Sequence, residues 1–296
     1  MPEQNPCYKI SELLHQAKQS LSQTGIKTAA LETRVLLCHV GGLSEAEVIA
    51  YPDRTIEEKP AAEFFDLVAR RSQRIPLAHL LGVREFWGLE FCVNAQTLIP
   101  RPETEFAVES AVNCARAIFA RTGQVRILDM GCGTGCLLVS ILHEVAGASG
   151  LGIDINPQAV DLARKNAEKL GVERRSTFKC MDWGEGLIEK FDVIVSNPPY
   201  IRSGELAGLM PEVAVHEPVR ALDGGVDGLD EYRKIIPRAQ RLLNPQGRLI
   251  VEIGHGQATG VLGLLAQHDF QPVDAAKPVI HDLAGCERII SAVKVC

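Results

Sequence analysis

From about residue 125 onward, short β-branched runs alternate with helical stretches, and this alternation constrains the fold more than any other feature of the sequence. The runs lie at 126–130, 151–154, 176–180, 191–196 and 248–253. Such an alternation is typical of a parallel β-sheet whose strands are joined by crossover helices. Two later segments, at about 270–274 and 288–293, are candidates for further strands. We therefore predict an α/β fold for this part of the chain.

One of the crossover helices has clear start and stop signals. Asn156 is suited to cap its N-terminus, Pro157 occupies the first turn, and Gly171 terminates it. These residues predict a helix directly after the second strand.

The first 75 residues carry apolar side chains at helical spacing instead. The apolar positions are Ile10, Leu13, Leu14, Ala17 and Leu21, then Leu31, Val35 and Cys38, and later Ala61, Phe65 and Val68. This pattern predicts a small bundle of roughly four helices.

Residues 84–99 alternate partially around Gly88, which predicts a β-hairpin. We thus divide the chain into a helical domain over 1–80, a hairpin linker over 81–100 and an α/β domain over 101–296.

Length, charge and cysteine content exclude several classes of protein. The longest uncharged run, 253–268, is 16 residues long and too polar for a transmembrane helix. The N-terminal sequence has no apolar region typical of a signal peptide, so we expect a cytoplasmic protein. Nine scattered cysteines favour reduced thiols over a disulfide framework, and their spacing does not predict a metal site. A net charge of −6 gives no support for a nucleic-acid enzyme.

A glycine-rich loop follows the first strand of the predicted sheet. It runs Asp129-Met-Gly131-Cys132-Gly133-Thr134-Gly135 and precedes an apolar helix. Glycines let the backbone approach a ligand, and the helix N-terminus faces that ligand. Asp154 ends the next strand, where a carboxylate can accept hydrogen bonds from both hydroxyls of an adenosine ribose. Both NAD and S-adenosylmethionine satisfy this pattern.

Two details of the loop favour S-adenosylmethionine. The dinucleotide motif has glycine at its sixth position, where this chain has Cys136. A carboxylate at Asp129 would repel a pyrophosphate but attract the ammonium and sulfonium groups of S-adenosylmethionine. Asp182 and Trp183 follow the third strand and are candidates to flank the adenine, with a core position for Trp183 as the alternative.

A rigid polar segment, Asn197-Pro198-Pro199-Tyr200, follows the fourth strand. Open α/β sheets bind ligands outside the carboxyl ends of their strands, where this segment lies. The Asn197 side-chain oxygen and the Pro198 carbonyl can each accept one N–H of a planar NH₂ group, and Tyr200 can pack on its face. Such a grip would orient an amide or exocyclic amine for methylation without a strong general base.

The chain resembles the HemK/PrmC family of peptide chain release factor glutamine methyltransferases, which are class I S-adenosylmethionine-dependent enzymes. The resemblance covers nearly the whole chain and rests on the glycine loop, 197–200 and the motifs at 75–82, 85–91, 98–105, 222–229 and 282–285. It implies a seven-stranded Rossmann-like domain with one antiparallel late strand, a small N-terminal helical bundle and a β-hairpin linker. The implied substrate is the glutamine of the Gly-Gly-Gln loop of class 1 release factors, methylated on its side-chain amide nitrogen.

The resemblance also implies roles for individual residues. Residues 131–135, Asp154 and Trp183 would hold S-adenosylmethionine, with Asp129, Asp182 and Asn197 beside it and S-adenosylhomocysteine as the product. Residues 197–200 would hold the glutamine, while 100–105, with Arg101 and Glu103 as substrate contacts, would close the site. We expect a monomer whose helical domain docks the release factor, with no direct binding of nucleic acid or membrane. The alternatives are a ribosomal protein glutamine methyltransferase and a DNA adenine methyltransferase.

Overall fold

The structure, a computed structural model, describes residues 7–295. The chain separates into two units, of which the first extends to Gly82 and also contains Pro211–His216. The second unit comprises Val83–Met210 and the residues from Glu217 onward. Cys296 lies outside the described residues. So do residues 1–6, where the N-terminal sequence that we considered as a signal peptide begins.

The first unit is helical, with one short antiparallel ribbon. Its elements are β1 (Cys7–Lys9), α1 (Ile10–Gln23), α2 (Ala29–Gly41), α3 (Glu45–Ala50), β2 (Thr55–Glu57), α4 (Glu58–Ser72) and α5 (Leu77–Leu81). Within residues 7–82, five α-helices therefore stand where the sequence pattern predicted roughly four. The ribbon of β1 and β2 was not predicted, because three-residue strands are too short to show a period.

The apolar face was predicted correctly for α1 but not for α2. Ile10, Leu13, Ala17 and Leu21 of α1 are buried. In α2, Leu31 is 48% exposed, while Leu36 and Leu37 are buried beside Glu32 and Thr33. Glu32 lies inside because it pairs with the buried Arg71 at 2.5 Å. Apolar periodicity cannot reveal a helix face that contains a charged side chain.

The second unit begins with the predicted hairpin and continues as an α/β sheet. Its strands are β3 (Val83–Phe86), β4 (Leu89–Cys92), β5 (Val125–Met130), β6 (Ala148–Asp154), β7 (Ser176–Cys180), β8 (Phe191–Ser196), β9 (Leu243–Glu252), β10 (Phe270–Pro272), β11 (Ile280–His281) and β12 (Glu287–Lys294). Its helices are α6 (Glu105–Thr122), α7 (Cys136–Glu144), α8 (Pro157–Lys169), α10 (Asp230–Leu242) and α11 (Ala258–Gln267), whereas α9 (Pro211–His216) belongs to the first unit.

The sheet confirms the predicted class I methyltransferase architecture. Its strand order is β10-β12-β9-β8-β5-β6-β7, and the short β11 pairs with β12 as an eighth strand. Strands β5 to β9 run parallel, whereas β12 is antiparallel to β9. Helices α6, α7 and α8 pack on one face and α10 and α11 on the other. Because the central strands are parallel, the loops after β5, β6, β7 and β8 share one edge of the sheet.

Two further observations concern the described residues as a group. None of their helices combines the length and apolar character needed to cross a membrane. No disulfide bond forms among their cysteines.

Candidate active site

A cavity of about 330 Å³ lies at the carboxyl edge of the parallel strands, entirely within the second unit. Its walls include loop residues that follow four different strands. The predicted site residues that line it are Arg101, Gly131, Cys132, Gly133, Thr134, Asp154, Asp182, Trp183, Asn197 and Pro199. The structure thus brings the glycine loop and Asn197 together in one cavity.

The backbone of the glycine loop lies close to β6 and to the Trp183 ring. The amides of Gly131 and Cys132 both donate to Ile153 O, at 2.8 and 2.9 Å, which holds the loop against β6. Gly131 has a left-handed φ of 78°, and a Cβ there would lie 3.0 Å from the Trp183 ring. A glycine at this position therefore lets the Trp183 ring pack closely against the loop.

Asp154 lies at the end of β6 with both carboxylate oxygens oriented by backbone amides. Oδ2 accepts from Gly133 N at 2.9 Å and Oδ1 from Asn156 N at 2.8 Å. Burial raises the pKa of Asp154, and these two backbone hydrogen bonds oppose the shift. Each oxygen retains acceptor capacity toward the cavity, which suits a pair of ligand hydroxyls.

Asp129 occupies a different position from the one that the sequence interpretation gave it. Its carboxyl is fully buried against the first turn of α7, where Oδ2 accepts from Leu138 N at 3.2 Å. Within residues 7–295, Oδ1 has no hydrogen-bond partner, and Asp129 is not among the residues that line the cavity. Burial raises its pKa to about 7. A role as direct partner of the cofactor's positive charge is therefore not supported by this geometry.

Asn197 follows β8, and the NH₂ group of its side-chain amide is hydrogen-bonded within the protein. Its Nδ2 donates to Thr104 Oγ1 at 3.1 Å, which leaves Oδ1 as the acceptor available to a ligand. Ser196 Oγ donates to Met130 O at 2.6 Å and ties the backbone before Asn197 to the neighbouring strand.

Pro198 and Tyr200 do not line the cavity, unlike Pro199 and Asn197. The Tyr200 hydroxyl donates to Glu252 Oε1 at 3.2 Å, and burial raises the pKa of that phenol. The wall that we predicted for Tyr200 on the substrate's planar face is therefore not formed in this arrangement. The side chain instead anchors the segment to the end of β9.

The 98–105 segment before α6 contributes four residues to the cavity wall: Leu98, Pro100, Arg101 and Thr104. Arg101 pairs at 2.5 Å with the buried Glu217, whereas Glu103 is not among the lining residues. Thr104 precedes α6 but makes no side-chain cap of that helix. Its hydroxyl donates instead to Glu252 Oε2 at 2.7 Å.

Comparison with known proteins matches parts of both units. Residues 12–82 match the PrmC N-terminal domain, and residues 122–265 match a methyltransferase domain. The chain is 43% identical to a release factor glutamine methyltransferase from Rhodospirillum rubrum, over 96% of this chain and 84% of that protein. The chain belongs to this family. The family assignment confirms the resemblance that the sequence motifs indicated.

Two further members of the release factor glutamine methyltransferase family are similar over nearly their full length. The identity is 38% to the protein from Agrobacterium fabrum, over 95% of this chain and 96% of that one. It is 39% to the protein from Geobacter sulfurreducens, over 98% of both chains. Among solved structures, a ribosomal protein L11 methylase from Lactobacillus delbrueckii subsp. bulgaricus is 20% identical with a TM-score of 0.46, covering 66% of this chain and 81% of that one.

The sequence analysis did not identify Glu252 as a site residue. Glu252 is 1% exposed and lies at the end of β9. Burial raises its pKa to about 7, while hydrogen bonds from Thr104 and Tyr200 oppose the shift. A single carboxylate in the apolar run 249–253 was the signal that could have identified it.

Glu231 was missed for a different reason. It lines the cavity and accepts from Trp183 Nε1 at 2.6 Å, although it lies 48 residues later in the chain. Trp183 also packs against the core beneath, so both of its predicted positions hold in part. No local pattern in the sequence links the two residues.

Proposed function

We propose that this chain transfers a methyl group from S-adenosylmethionine to the side-chain amide nitrogen of the glutamine in the Gly-Gly-Gln loop of class 1 release factors. One observation carries the proposal: the glycine loop and Asn197 line the same cavity. Curated relatives at 38–43% identity, all named release factor glutamine methyltransferases, favour this substrate over a ribosomal protein or DNA.

The residues around the glycine loop fit S-adenosylmethionine. Trp183 lines the cavity beside Gly131 and offers an apolar ring to a flat group, and the two oriented oxygens of Asp154 suit ribose hydroxyls. Cys132, Gly133, Thr134 and Asp182 complete this part of the cavity wall. When bound, S-adenosylmethionine supplies an electrophilic methyl group and leaves as S-adenosylhomocysteine.

Asn197, which lines the cavity, would hold the glutamine amide, whereas Pro198 does not line it and keeps only its sequence-based role as the second acceptor. Asn197 Oδ1 would accept one N–H and the Pro198 carbonyl the other, which orients the nitrogen and withdraws it from conjugation with its carbonyl. The nitrogen becomes acidic once it carries the methyl group, so its proton can leave without a strong general base. Arg101 lines the same cavity and would help to enclose the substrate.

Two variants test the separate roles of the cavity residues. We expect Asn197→Ala to abolish methyl transfer while S-adenosylmethionine binding stays within a few-fold, because the lost group contacts the acceptor. Asp154→Ala should instead weaken S-adenosylmethionine binding by about 1–3 kcal/mol, the range of a hydrogen bond to a charged group. Calorimetry measures the binding. Turnover retained in Asn197→Ala would refute the proposed binding of the glutamine amide by Asn197.

Mass spectrometry tests the substrate directly. A purified release factor is incubated with the enzyme and S-adenosylmethionine beside the same factor with its Gly-Gly-Gln glutamine changed to alanine. We expect a gain equal to one methylene on the first factor and none on the second. No gain on either factor would overturn the proposed substrate and direct the search to ribosomal protein and then to DNA.

The helical first unit would dock the release factor. Among residues 7–82 and 211–216 of this unit none lines the cavity, and the apolar side chains of Ile49 and Tyr51 are 62% and 60% exposed. Serine at both positions should raise the KM for the whole factor but not for a short glutamine peptide. An equal change for both substrates would contradict docking. We keep the sequence-based predictions that the enzyme is a monomer and acts in the cytoplasm.

A further inference from the structure

The hydroxyl of Thr104 joins two side chains that are far apart in the sequence. Thr104 Oγ1 accepts from Asn197 Nδ2 at 3.1 Å and donates to Glu252 Oε2 at 2.7 Å. Thr104 and Glu252 are 2% and 1% exposed, so water does not compete for these bonds. Tyr200 donates to Glu252 Oε1, and the second carboxylate oxygen is thereby also engaged.

The direction of these hydrogen bonds follows from the number of protons. A hydroxyl has a single proton, and a carboxylate oxygen only accepts. Thr104 therefore gives its proton to Glu252 and presents only lone pairs to Asn197. The amide of Asn197 must then turn its NH₂ toward Thr104 and its Oδ1 away from it. A proton on Glu252 Oε1 would leave Oε2 an acceptor and keep this direction, whereas a proton on Oε2 would reverse it; the direction therefore belongs to the ionised carboxylate and to the form protonated on Oε1.

The opposite orientation of Asn197 would fail in two places. Oδ1 would meet the lone pairs of Thr104 Oγ1, with no proton between the two oxygens. The NH₂ group would then face the NH₂ of a substrate amide, so that two donors would oppose each other. The amide orientation of Asn197 is therefore decisive for binding an amide substrate.

We propose that Thr104 is a positioning residue for methyl transfer, which holds Asn197 in the one orientation that offers Oδ1 to the substrate amide, with Glu252 setting the direction of the hydrogen bond. This inference rests on the proposed function, because it requires Asn197 to hold the glutamine. It adds a residue from the 98–105 motif that acts through its hydrogen bond with Asn197.

The backbone around Asn197 has supports that do not involve Thr104. Ser196 Oγ holds Met130 O at 2.6 Å on one side, and Gln257 Nε2 donates to Tyr200 O at 2.8 Å on the other. Removing the Thr104 hydroxyl should therefore release the side-chain amide of Asn197 and leave the segment in place. This separation makes the inference testable.

The experiment compares Thr104→Val, Thr104→Ser and Asn197→Ala in the full chain, with a whole release factor as substrate. Valine keeps the shape of threonine without the hydroxyl, and serine keeps the hydroxyl. We expect Thr104→Val to lower kcat about 10- to 100-fold, the loss expected when one buried hydrogen bond is removed. The Kd for S-adenosylmethionine should change by less than about twofold, and Thr104→Ser should recover most of kcat.

The outcomes separate failure of this inference from failure of the proposed function. Wild-type kcat in Thr104→Val, with turnover lost in Asn197→Ala, would overturn the inference alone. Equal losses in Thr104→Val and Thr104→Ser would also overturn it, because packing and not the hydroxyl would then be responsible. Turnover retained in Asn197→Ala would overturn both.

A measurement on the unmodified chain covers the case in which Thr104→Val does not fold. With ¹⁵N-labelled asparagine, the side-chain amide protons of Asn197 are identified by their loss in Asn197→Ala. We expect the proton donated to Thr104 to exchange with solvent more slowly than the side-chain protons of the exposed Asn94. Equal exchange rates at the two positions would overturn the inference.

Discussion

Trp183 donates its indole proton to Glu231 Oε2 at 2.6 Å, and both side chains line the cavity. The backbone of Trp183 is left-handed, with φ of 44°, a conformation that is unfavourable for a bulky residue. The second carboxylate oxygen of Glu231 pairs with Lys234 at 2.9 Å. Glu231 therefore holds the indole in place over Gly131 at the cofactor end of the cavity.

Loss of this hydrogen bond should weaken cofactor binding. We expect Glu231→Ala to raise the Kd for S-adenosylmethionine about 3- to 10-fold, as one net hydrogen bond predicts. Titration calorimetry gives the Kd, and Glu185→Ala is the control, since Glu185 is an exposed acid that does not line the cavity. In a Trp87→Phe background Trp183 is the sole tryptophan, and its emission under selective tryptophan excitation should shift to the red. An unchanged Kd would contradict the positioning of Trp183 by Glu231.

Gly224 is required because the backbone of the 197–200 segment passes too close for a side chain. A Cβ at Gly224 would lie 2.7 Å from Tyr200 Cα and 2.9 Å from Pro199 O. We expect Gly224→Ala to displace this segment and lower kcat about tenfold or more, with little effect on cofactor binding. Gly204→Ala is the matched control, because no atom lies within 4 Å of its Cβ position. Equal kcat values for the two variants would refute this reason for the glycine.

The stability of the second unit should depend on pH through Glu252. Burial raises its pKa from the ordinary 4.5 to about 7, so between these values the folded chain binds more protons than the unfolded chain. The contribution of Glu252 to stability is therefore fully present below pH 4.5 and is lost as the pH rises through about 7. Asp129 shifts in the same direction.

Glu252→Gln removes this titration and leaves that of Asp129 in place. We expect its free energy of unfolding to fall less than that of the wild type as the pH rises through this interval. Urea denaturation at several pH values measures the difference, and the exposed Glu185→Gln should follow the wild-type curve. Parallel curves for Glu252→Gln and wild type would show that Glu252 does not titrate in this range.

A buried ion cluster stabilises the first unit. Arg71 pairs with Glu32 at 2.5 Å and with Glu212 at 2.9 Å, and its side chain is 6% exposed. We expect Glu32→Ala to lower the free energy of unfolding by about 3 kcal/mol, because a buried guanidinium would lose a partner. Asp66→Ala, which removes an exposed pair with Arg70, should cost at most about 1 kcal/mol. Similar losses in the two variants would contradict the importance of burial.

The strands and the best-marked helix were predictable because their causes are local. Predicted and observed strands agree closely at 176–180 and 191–196, where β-branched runs are bounded by polar residues. Asn156 caps α8 by accepting from Gln158 N at 3.0 Å, as its position before Pro157 predicted. Both results follow from interactions between residues close together in the chain.

The candidate site was predictable only in part. The glycine loop and Asn197 were found because parallel strands bring their carboxyl ends to one edge, a rule that needs only the strand order. The polarity of Asp129 suggested a ligand contact, but burial places its carboxyl against α7. Whether a charged side chain faces a cavity or the interior depends on packing that no short motif encodes.

The sequence by itself determined the α/β class, the loop that faces the cavity and the family, because each depends on local spacing and residue type. Only the tertiary structure decided how the site residues are oriented. Asn197 lies 93 residues from Thr104, and Thr104 lies 148 residues from Glu252. Folding alone brings these three side chains into hydrogen-bonding distance, and in our proposal the Glu252 carboxylate, as the acceptor for the Thr104 hydroxyl, then sets the direction in which Asn197 presents its amide.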